Sequence, residues 1–273
     1  MTAGAGAPPL RSSTAWYDSP RHYDMVYADY TAPETRFLEH ILRRHGPPAR
    51  GPRRILEPAC GSGRLVESLA RRGHRVWGFD LNPRQLAHAR ERLRRRGLVA
   101  GLWQDELGSF RLPAGARGFD LAHCLVSTFK YLLSEAAAVR HLRKVAAALR
   151  PGGLYALGLH LTDYANNPPD HERWEARKGR THVVSDTWSA PADPRARKEA
   201  MRTRMRIREG DRRWVTETEW TFRTYGPGQM RSLLRKAPEL ELVACHDFNY
   251  RTDEVRSLDL TSSDIVLVLR RRP

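Results

Sequence analysis

Short apolar runs alternate with helical patterns between about residues 53 and 161. Each apolar run is followed by a stretch in which hydrophobic residues recur every three or four positions, which is typical of a strand connected to a helix. This alternation predicts a parallel β-sheet with crossover helices. The predicted strands are residues 54–57, 75–80, 99–105, 119–126 and 154–161.

Capping residues mark where the predicted helices begin and end. Asn82 followed by Pro83 predicts the start of a helix that runs to Arg96, and Ser134 starts another that ends near Leu149, before Pro151 and two glycines. Upstream of the first strand, residues 31–44 form an amphipathic helical pattern. These elements assign residues 1–50 to an N-terminal lid and helix, and residues 51–161 to the core.

The pattern changes after Leu161 to alternation with a period of two, which predicts antiparallel strands at residues 181–189 and 200–225. A two-residue turn at Gly210-Asp211 would place Arg204 opposite Glu217 and Arg202 opposite Glu219. The arginines at alternate positions from 202 to 208 then form a partly paired solvent face, although a phosphate-binding track stays open as the alternative. Residues 162–225 are therefore predicted to be a β-rich insertion. We interpret the sequence Asn-Pro-Pro-Asp at 167–170 as a loop.

The last part of the chain, residues 226–273, predicts a helix at 227–236 and strands at 240–248 and 265–269, which would complete the core sheet. No run of about 18 apolar residues and no signal-peptide pattern is seen, so the sequence predicts a cytoplasmic protein without a membrane partner. The three cysteines are widely spaced and lack a C-x-x-C pair, which argues against disulfides and a zinc site.

The net charge of +16 raises nucleic acid as a partner. Arginine, however, supplies all but five of the 47 basic residues, in a chain rich in Ala, Gly and Pro. A bias toward GC-rich codons explains this composition without a partner, so nucleic acid stays a candidate partner that is not favoured.

The strongest chemical signal is the segment Glu57-Pro58-Ala59-Cys60-Gly61-Ser62-Gly63, which joins a strand to a helix. Small residues in such a loop allow backbone N–H groups and the helix N-terminus to approach a ligand closely. Val66 replaces the third glycine of a dinucleotide-binding loop, and no G-K-[ST] sequence follows. Acidic residues also end the next two strands, at Asp80 and at Asp105-Glu106, where open α/β sheets bind ligands.

Together these motifs resemble those of class I S-adenosylmethionine (SAM)-dependent methyltransferases, with a layout similar to the glycine and amino-sugar N-methyltransferases. The resemblance covers about residues 15–161 and implies an α/β, Rossmann-like, seven-stranded sheet with a helical lid and an antiparallel insertion after the fifth strand. It implies SAM as the methyl donor, S-adenosylhomocysteine (SAH) as the product, and no metal. The residues that it assigns to the cofactor are Tyr23, Glu57, Ala59, Cys60, Gly61, Gly63, Asp80, Leu81, Asp105, Glu106, Cys124 and Leu125.

The tyrosine-rich segment before the first helix resembles the lid that closes over SAM and substrate in these small-molecule enzymes. Packing of the tyrosines onto the sheet is the alternative. His160, near the end of the fifth predicted strand, and Tyr131, in the loop after the fourth, are candidates for acceptor positioning or proton removal, although a histidine there is more often structural. Candidate acceptor contacts are Tyr17, Tyr27, Tyr30, Lys130, Tyr164 and Asn249.

The sequence therefore predicts a methyltransferase for a small-molecule acceptor, at nitrogen or oxygen, acting as a monomer or homodimer. An RNA or protein methyltransferase is the alternative within enzymes. A scaffold or regulator with this fold but without catalysis is the alternative from another class, because one fold serves many functions.

Overall fold

A computed structural model describes residues 10–12 and 16–273. Its centre is a seven-stranded sheet in the order β11-β12-β6-β5-β2-β3-β4, as predicted for the class I methyltransferase sheet. The strands β2 to β6 run parallel, and β12 pairs antiparallel with both β6 and β11. The core strands are β2 (Arg54–Pro58), β3 (Arg75–Asp80), β4 (Gly101–Gln104), β5 (Phe119–Cys124), β6 (Leu149–His160), β11 (Leu240–Asp247) and β12 (Asp264–Arg271).

Six α-helices accompany this sheet in the described part of the chain. The predicted caps are confirmed at two of them: the Asn82 side chain accepts from the backbone of the helix that starts at Pro83, and Ser134 accepts from Ala137. The helices are α1 (Pro20–Tyr27), α2 (Thr31–His45), α3 (Arg64–Arg71), α4 (Pro83–Arg95), α5 (Glu135–Ala148) and α6 (Pro227–Arg235).

A second sheet, called the inserted sheet below, has five strands in the order β1-β10-β9-β8-β7. They are β1 (Leu10–Ser12), β7 (Asp170–Lys178), β8 (Thr181–Ser189), β9 (Lys198–Glu209) and β10 (Arg212–Arg223). The predicted hairpin register is confirmed, because Arg204 pairs with Glu217 and Arg202 with Glu219 across β9 and β10.

Two features of the inserted sheet differ from the sequence-based expectation. Arg202 forms its ion pair with Glu217 (3.2 Å) rather than with Glu219, because its long side chain reaches the diagonal neighbour that also binds Arg204. Strand β7 was not predicted, since its residues are charged on both faces. It is an edge strand, where charged side chains are common because they discourage pairing with another chain.

The two sheets meet at the lid segment, which we define as residues 16–30. Val26, Tyr27, Tyr17 and Tyr23 of the lid pack against a cluster of the inserted sheet that contains Val183, Met205 and Ile207. The lid is also bonded to α3 and α4 of the core, as described below. The carboxyl ends of the parallel core strands therefore lie beneath a lid and beside the inserted sheet. No helix among the described residues is long and apolar enough to cross a membrane.

Candidate functional site

The loop between β2 and α3 has a left-handed backbone at several positions, and two of these positions are glycines. Gly61 and Gly63 have φ values of +52° and +73°, and Ala59 between β2 and Gly61 has a φ of 54°. A Cβ atom on Gly63 would lie 2.8 Å from the Cβ of Ala89, so glycine also allows the loop to approach α4 closely. The loop therefore presents backbone rather than side chains at the start of α3.

Asp80 closes this loop from the neighbouring strand. One carboxylate oxygen accepts from the Gly61 backbone N–H (2.8 Å), and the other accepts from the Asn82 N–H (2.8 Å). Burial raises the pKa of Asp80, while these two N–H groups oppose the rise. The next residue, Leu81, is 65 % exposed, which leaves an apolar side chain beside the carboxylate. Each carboxylate oxygen keeps a lone pair for a ligand hydroxyl.

Glu57 is the carboxylate at the end of β2. The residue is 8 % exposed, and its Oε2 atom has no hydrogen-bond partner among the described residues. Burial raises the pKa of Glu57 well above its ordinary value, with the Arg64 charge acting in the opposite direction. An unpaired buried carboxylate oxygen is uncommon and suits a cationic ligand group.

The acids after β4 are arranged differently. The Asp105 carboxylate accepts from the backbone N–H groups of Glu106 and Arg111, each at 2.8 Å, and faces the indole N–H of Trp103 at 3.3 Å. Glu106 is exposed and accepts from Ser109 at 3.2 Å. Asp105 thus stabilises its own loop in this structure, and its predicted contact with adenine stays a prediction.

Asp24 of the lid anchors α1 over the glycine loop. Its carboxylate accepts from the Ser62 hydroxyl and from Arg92 of α4, and it lies 3.2 Å from the His88 ring. A second anchor joins the Tyr17 carbonyl to the Gln85 side-chain amide at 2.5 Å. The lid segment is therefore bonded to the glycine loop and to α4, at the edge of the sheet where the parallel strands end.

The lid tyrosines form a continuous aromatic series. The ring centroids of Tyr17 and Tyr23 are 5.8 Å apart, those of Tyr23 and Tyr27 are 4.6 Å apart, and Tyr30 follows at 6.5 Å from Tyr27. Tyr27 also lies 6.1 Å from Trp174 of the inserted sheet. Three of the four rings are partly or fully buried, whereas Tyr30 is 43 % exposed.

Tyr17 connects the lid to the loop after β5. Its hydroxyl lies 2.5 Å from the hydroxyl of Tyr131, whose ring packs on Phe222 of β10 at 4.8 Å. Burial raises the pKa of Tyr17 well above 10, and it likewise raises the pKa of Tyr131. Both hydroxyls are consequently protonated at neutral pH and can orient a ligand, but they cannot readily remove a proton from it.

A buried charged network lies next to Tyr131. The Lys130 ammonium is fully buried, lies 2.5 Å from Glu199 of β9 and also contacts the His160 ring at the end of β6. Burial lowers the pKa of Lys130 to about 8, despite the opposite effect of Glu199. Hydrogen bonds from His160 and the Lys130 charge bring the pKa of Glu199 to about 2, against the effect of burial.

Both ring nitrogens of His160 are engaged within the protein. Nδ1 lies 2.8 Å from the Ser127 hydroxyl, and Nε2 lies 3.0 Å from Glu199 and close to Lys130. Burial and the Lys130 charge lower the pKa of His160. Val126 and Ser127 have φ values of 57° and 61°, so the backbone that positions this network is strained. The arrangement favours a positioning role for His160 over that of a free base.

The structure brings most of the predicted site residues to one edge, with two exceptions. The Tyr164 hydroxyl faces Thr224 (2.8 Å) and Gln229 (3.0 Å), toward α6. Asn249 is exposed in a turn, where its backbone N–H donates to Asp247 at 3.0 Å. Cys60, Cys124 and Leu125 are buried, and burial raises the pKa of both thiols, as expected of cysteines that pack rather than react.

Several residues of the site were not found from the sequence. Glu199 lies 69 positions from Lys130, on a strand with no motif, so only the packing of the inserted sheet brings the two together. The sequence analysis assigned no site role to Arg64 or Ser127. Asp24 had one signal, since it lies among the lid tyrosines.

Comparison with known proteins agrees with this architecture. Residues 55–153 match the family model described as a methyltransferase domain. Rat (Rattus norvegicus) glycine N-methyltransferase is 32% identical over 145 residues, which are 49% of this chain and 47% of that protein. A dTDP-3-amino-3,6-dideoxy-alpha-D-glucopyranose N,N-dimethyltransferase of Streptomyces fradiae is 32% identical over 136 residues, 48% of this chain and 49% of that protein.

Similarity to solved structures extends over nearly the whole chain. The crystal structure of Streptomyces venezuelae DesVI superposes with a TM-score of 0.74 at 18% identity, covering 93% of this chain and 98% of that one. The chain spans about half the length of the curated relatives that it matches. The fold is shared with solved SAM-dependent methyltransferases, and the match to the methyltransferase-domain model covers residues 55–153. The resemblance stated from the sequence is thus confirmed.

Proposed function

We propose that this protein is a SAM-dependent methyltransferase that acts on an amine of a small-molecule acceptor. The main support is the combination at one sheet edge of an open glycine loop, the Asp80 carboxylate and the unpaired buried oxygen of Glu57. These three features fit a ligand with a ribose and an ammonium group. SAM, when bound, supplies an electrophilic methyl group on sulfur.

The residues around the cofactor edge would divide the binding between them. Gly61 and Gly63 allow the backbone to approach the ligand, Asp80 accepts from ribose hydroxyls, and Glu57 accepts from the ammonium group. Leu81 covers one side of the base, and Asp105 lies at the next strand end. The lid, held by Asp24, excludes water from the methyl acceptor.

The acceptor side favours nitrogen over oxygen. A neutral amine can attack a methyl group without a base and lose its proton to water afterwards, whereas an alcohol needs a base during the transfer. The Tyr17 and Tyr131 hydroxyls keep their protons at neutral pH, and both ring nitrogens of His160 are engaged. In this proposal Tyr131 and Tyr17 orient the amine, and the contribution to rate comes mainly from alignment.

The relatives support a small acceptor. The Streptomyces fradiae relative is named as a dimethyltransferase of a dTDP-linked amino sugar, and rat glycine N-methyltransferase is named for an amino acid. The solved structures with similar folds include that of the sugar N-methyltransferase KedS8 from Streptoalloteichus. An amino sugar is therefore the first acceptor class to test.

Calorimetric titration with SAM and SAH is the primary experiment, followed by transfer of labelled methyl groups to amino sugars. Wild-type protein should bind SAH at micromolar concentration, and Asp80→Ala should weaken binding about 100-fold, because two ribose hydrogen bonds to a charged group are lost. Tyr131→Phe should lower the transfer rate and leave SAH affinity unchanged.

The control is Asp211→Ala, a fully exposed carboxylate in the hairpin turn of the inserted sheet, which should change neither measurement. Absence of SAM and SAH binding by folded wild-type protein would refute the proposal and favour a scaffold. Transfer to an alcohol at the rate seen for amines would refute the preference for nitrogen.

A further inference from the structure

Arg64 is a buried arginine at the first position of α3, directly after Gly63. Its side chain is only 13% exposed, although arginine is seldom buried without a reason. The backbone of Arg64 therefore adjoins the glycine loop, where the proposed cofactor site begins. The contacts of Arg64 show whether its guanidinium only links two helices or also has N–H groups available for a ligand.

The Arg64 guanidinium is fixed from one side. Nη1 donates to the carboxylate of Glu34 in α2 and to the Thr31 hydroxyl at 3.2 Å. Glu34 is 1% exposed and accepts a second hydrogen bond, from Tyr250, at 3.2 Å. All hydrogen bonds of Arg64 to the described residues pass through Nη1, so the other N–H groups of the planar fork remain available.

Glu57 lies near Arg64 without being paired to it. The Arg64 charge acts on the pKa of Glu57, yet no ion pair within 4.0 Å joins them, and Glu57 Oε2 has no partner among the described residues. A buried carboxyl oxygen without a partner is uncommon in a folded protein, and here it ends the strand that precedes the glycine loop, while Arg64 begins the helix that follows this loop. An α-amino acid group, with one ammonium and one carboxylate, has the matching charges.

We propose that Arg64 binds the carboxylate of the methionine part of SAM, while Glu57 binds its ammonium and Glu34 holds Arg64 in place. This inference rests on the proposed function, since it assigns one end of the same ligand. The charges agree as well: two carboxylates and one guanidinium would balance a ligand that carries an ammonium, a sulfonium and one carboxylate. A guanidinium fork can bind a carboxylate through two hydrogen bonds.

The test compares SAH with 5′-methylthioadenosine, which keeps the nucleoside and the sulfur but lacks the amino acid group. In calorimetric titrations, Arg64→Gln should weaken SAH binding about 10- to 100-fold, as expected for a lost hydrogen-bonded charge pair. It should leave the affinity for methylthioadenosine within about twofold of wild type. A purely structural role would instead change both affinities by the same factor.

Arg92→Gln is the matched control, because Arg92 is also partly buried and also links helices through carboxylates, of Asp24 and Glu67. It should leave the ratio of the two affinities unchanged. If Arg64→Gln does not fold, wild-type protein is titrated with SAH and with its decarboxylated analogue. The analogue should bind at least about tenfold more weakly.

The outcomes separate the two proposals. Wild-type protein that binds neither SAH nor methylthioadenosine refutes the proposed function. Wild-type protein that binds SAH while Arg64→Gln weakens both ligands equally refutes the role of Arg64 and leaves the proposed function intact. Equal affinity of wild-type protein for SAH and its decarboxylated analogue refutes the role of Arg64 in the same way.

Discussion

The proposed cofactor edge of the core sheet and the proposed acceptor side beside the inserted sheet are built in different ways. At the cofactor edge, residues 57–63 and Asp80 form a compact unit, in which Asp80 bonds directly to the Gly61 backbone. On the acceptor side, Lys130, His160 and Glu199 come from a loop, a core strand and an inserted strand. The first unit depends on backbone geometry, and the second on buried charges that meet only after folding.

This difference explains how each side can tolerate change. Backbone contacts keep the cofactor edge similar among proteins whose substrates differ, because they need only small residues and one acid. The acceptor side depends on long-range pairs between the two sheets, so a change in the inserted sheet alters the site without touching the core. We expect mutations to separate the two sides, as the following predictions state.

Lys130→Met should produce the largest loss of stability, because it leaves Glu199 buried without its ammonium partner. We expect a decrease in the free energy of unfolding of about 3–5 kcal/mol, measured by urea denaturation. The double variant Lys130→Met/Glu199→Met should recover most of this loss, since no unpaired charge remains.

The control for these two variants is Lys198→Met, which changes an exposed lysine next to Glu199 in the same strand. It should change the free energy of unfolding by less than about 0.5 kcal/mol. If Lys130→Met lowered the free energy of unfolding no more than the control, the charged network would not stabilise the packing of the two sheets.

The stability losses of Gly63→Ala and Gly179→Ala compare a glycine of the proposed cofactor edge with a glycine in a turn of the inserted sheet. Both have positive φ values, of +73° and +56°, but a Cβ on Gly63 would meet Ala89 at 2.8 Å while Gly179 has open space. We expect Gly63→Ala to lower the free energy of unfolding by about 2–4 kcal/mol and Gly179→Ala by about 1 kcal/mol. Urea denaturation measures both, and equal losses would contradict the close approach of loop and helix.

Glu57 should make cofactor binding depend on pH. Burial raises the pKa of its carboxyl, so in the free protein Glu57 keeps its proton to a higher pH than the ordinary value of 4.5. The ligand ammonium needs the ionised carboxylate, so binding releases this proton. SAH affinity should therefore rise with pH, by at most about tenfold per pH unit, between the pKa of Glu57 in the complex and its raised pKa in the free protein.

Calorimetric titration of SAH in buffers of different ionisation enthalpy measures this proton release. Glu57→Gln removes the titrating group, and with it both the proton release and the pH dependence, while binding becomes weaker. Affinity of wild-type protein that is constant from pH 5 to 8 would show that Glu57 is already ionised before the ligand arrives.

Most of the core could be predicted from the sequence, because its signals are local. Asn82 and Ser134 cap their helices as expected, and the hairpin at Gly210-Asp211 has the predicted register. Strand β7 was missed because its charged residues carry no alternation, and the ion pair of Arg202 was assigned to the wrong partner because side-chain reach is not fixed by register.

By itself the sequence determined the order of the strands and helices of the core, the glycine loop and the acids at the ends of the first two core strands. These depend on backbone propensity, periodicity and capping, which act over a few residues. Only the tertiary structure decided that Glu199 reaches Lys130 and His160, that Arg64 is held by Glu34, and that Asp105 turns into its own loop. Those contacts depend on how distant segments pack and on which buried charges must be paired, and short-range sequence patterns do not encode either.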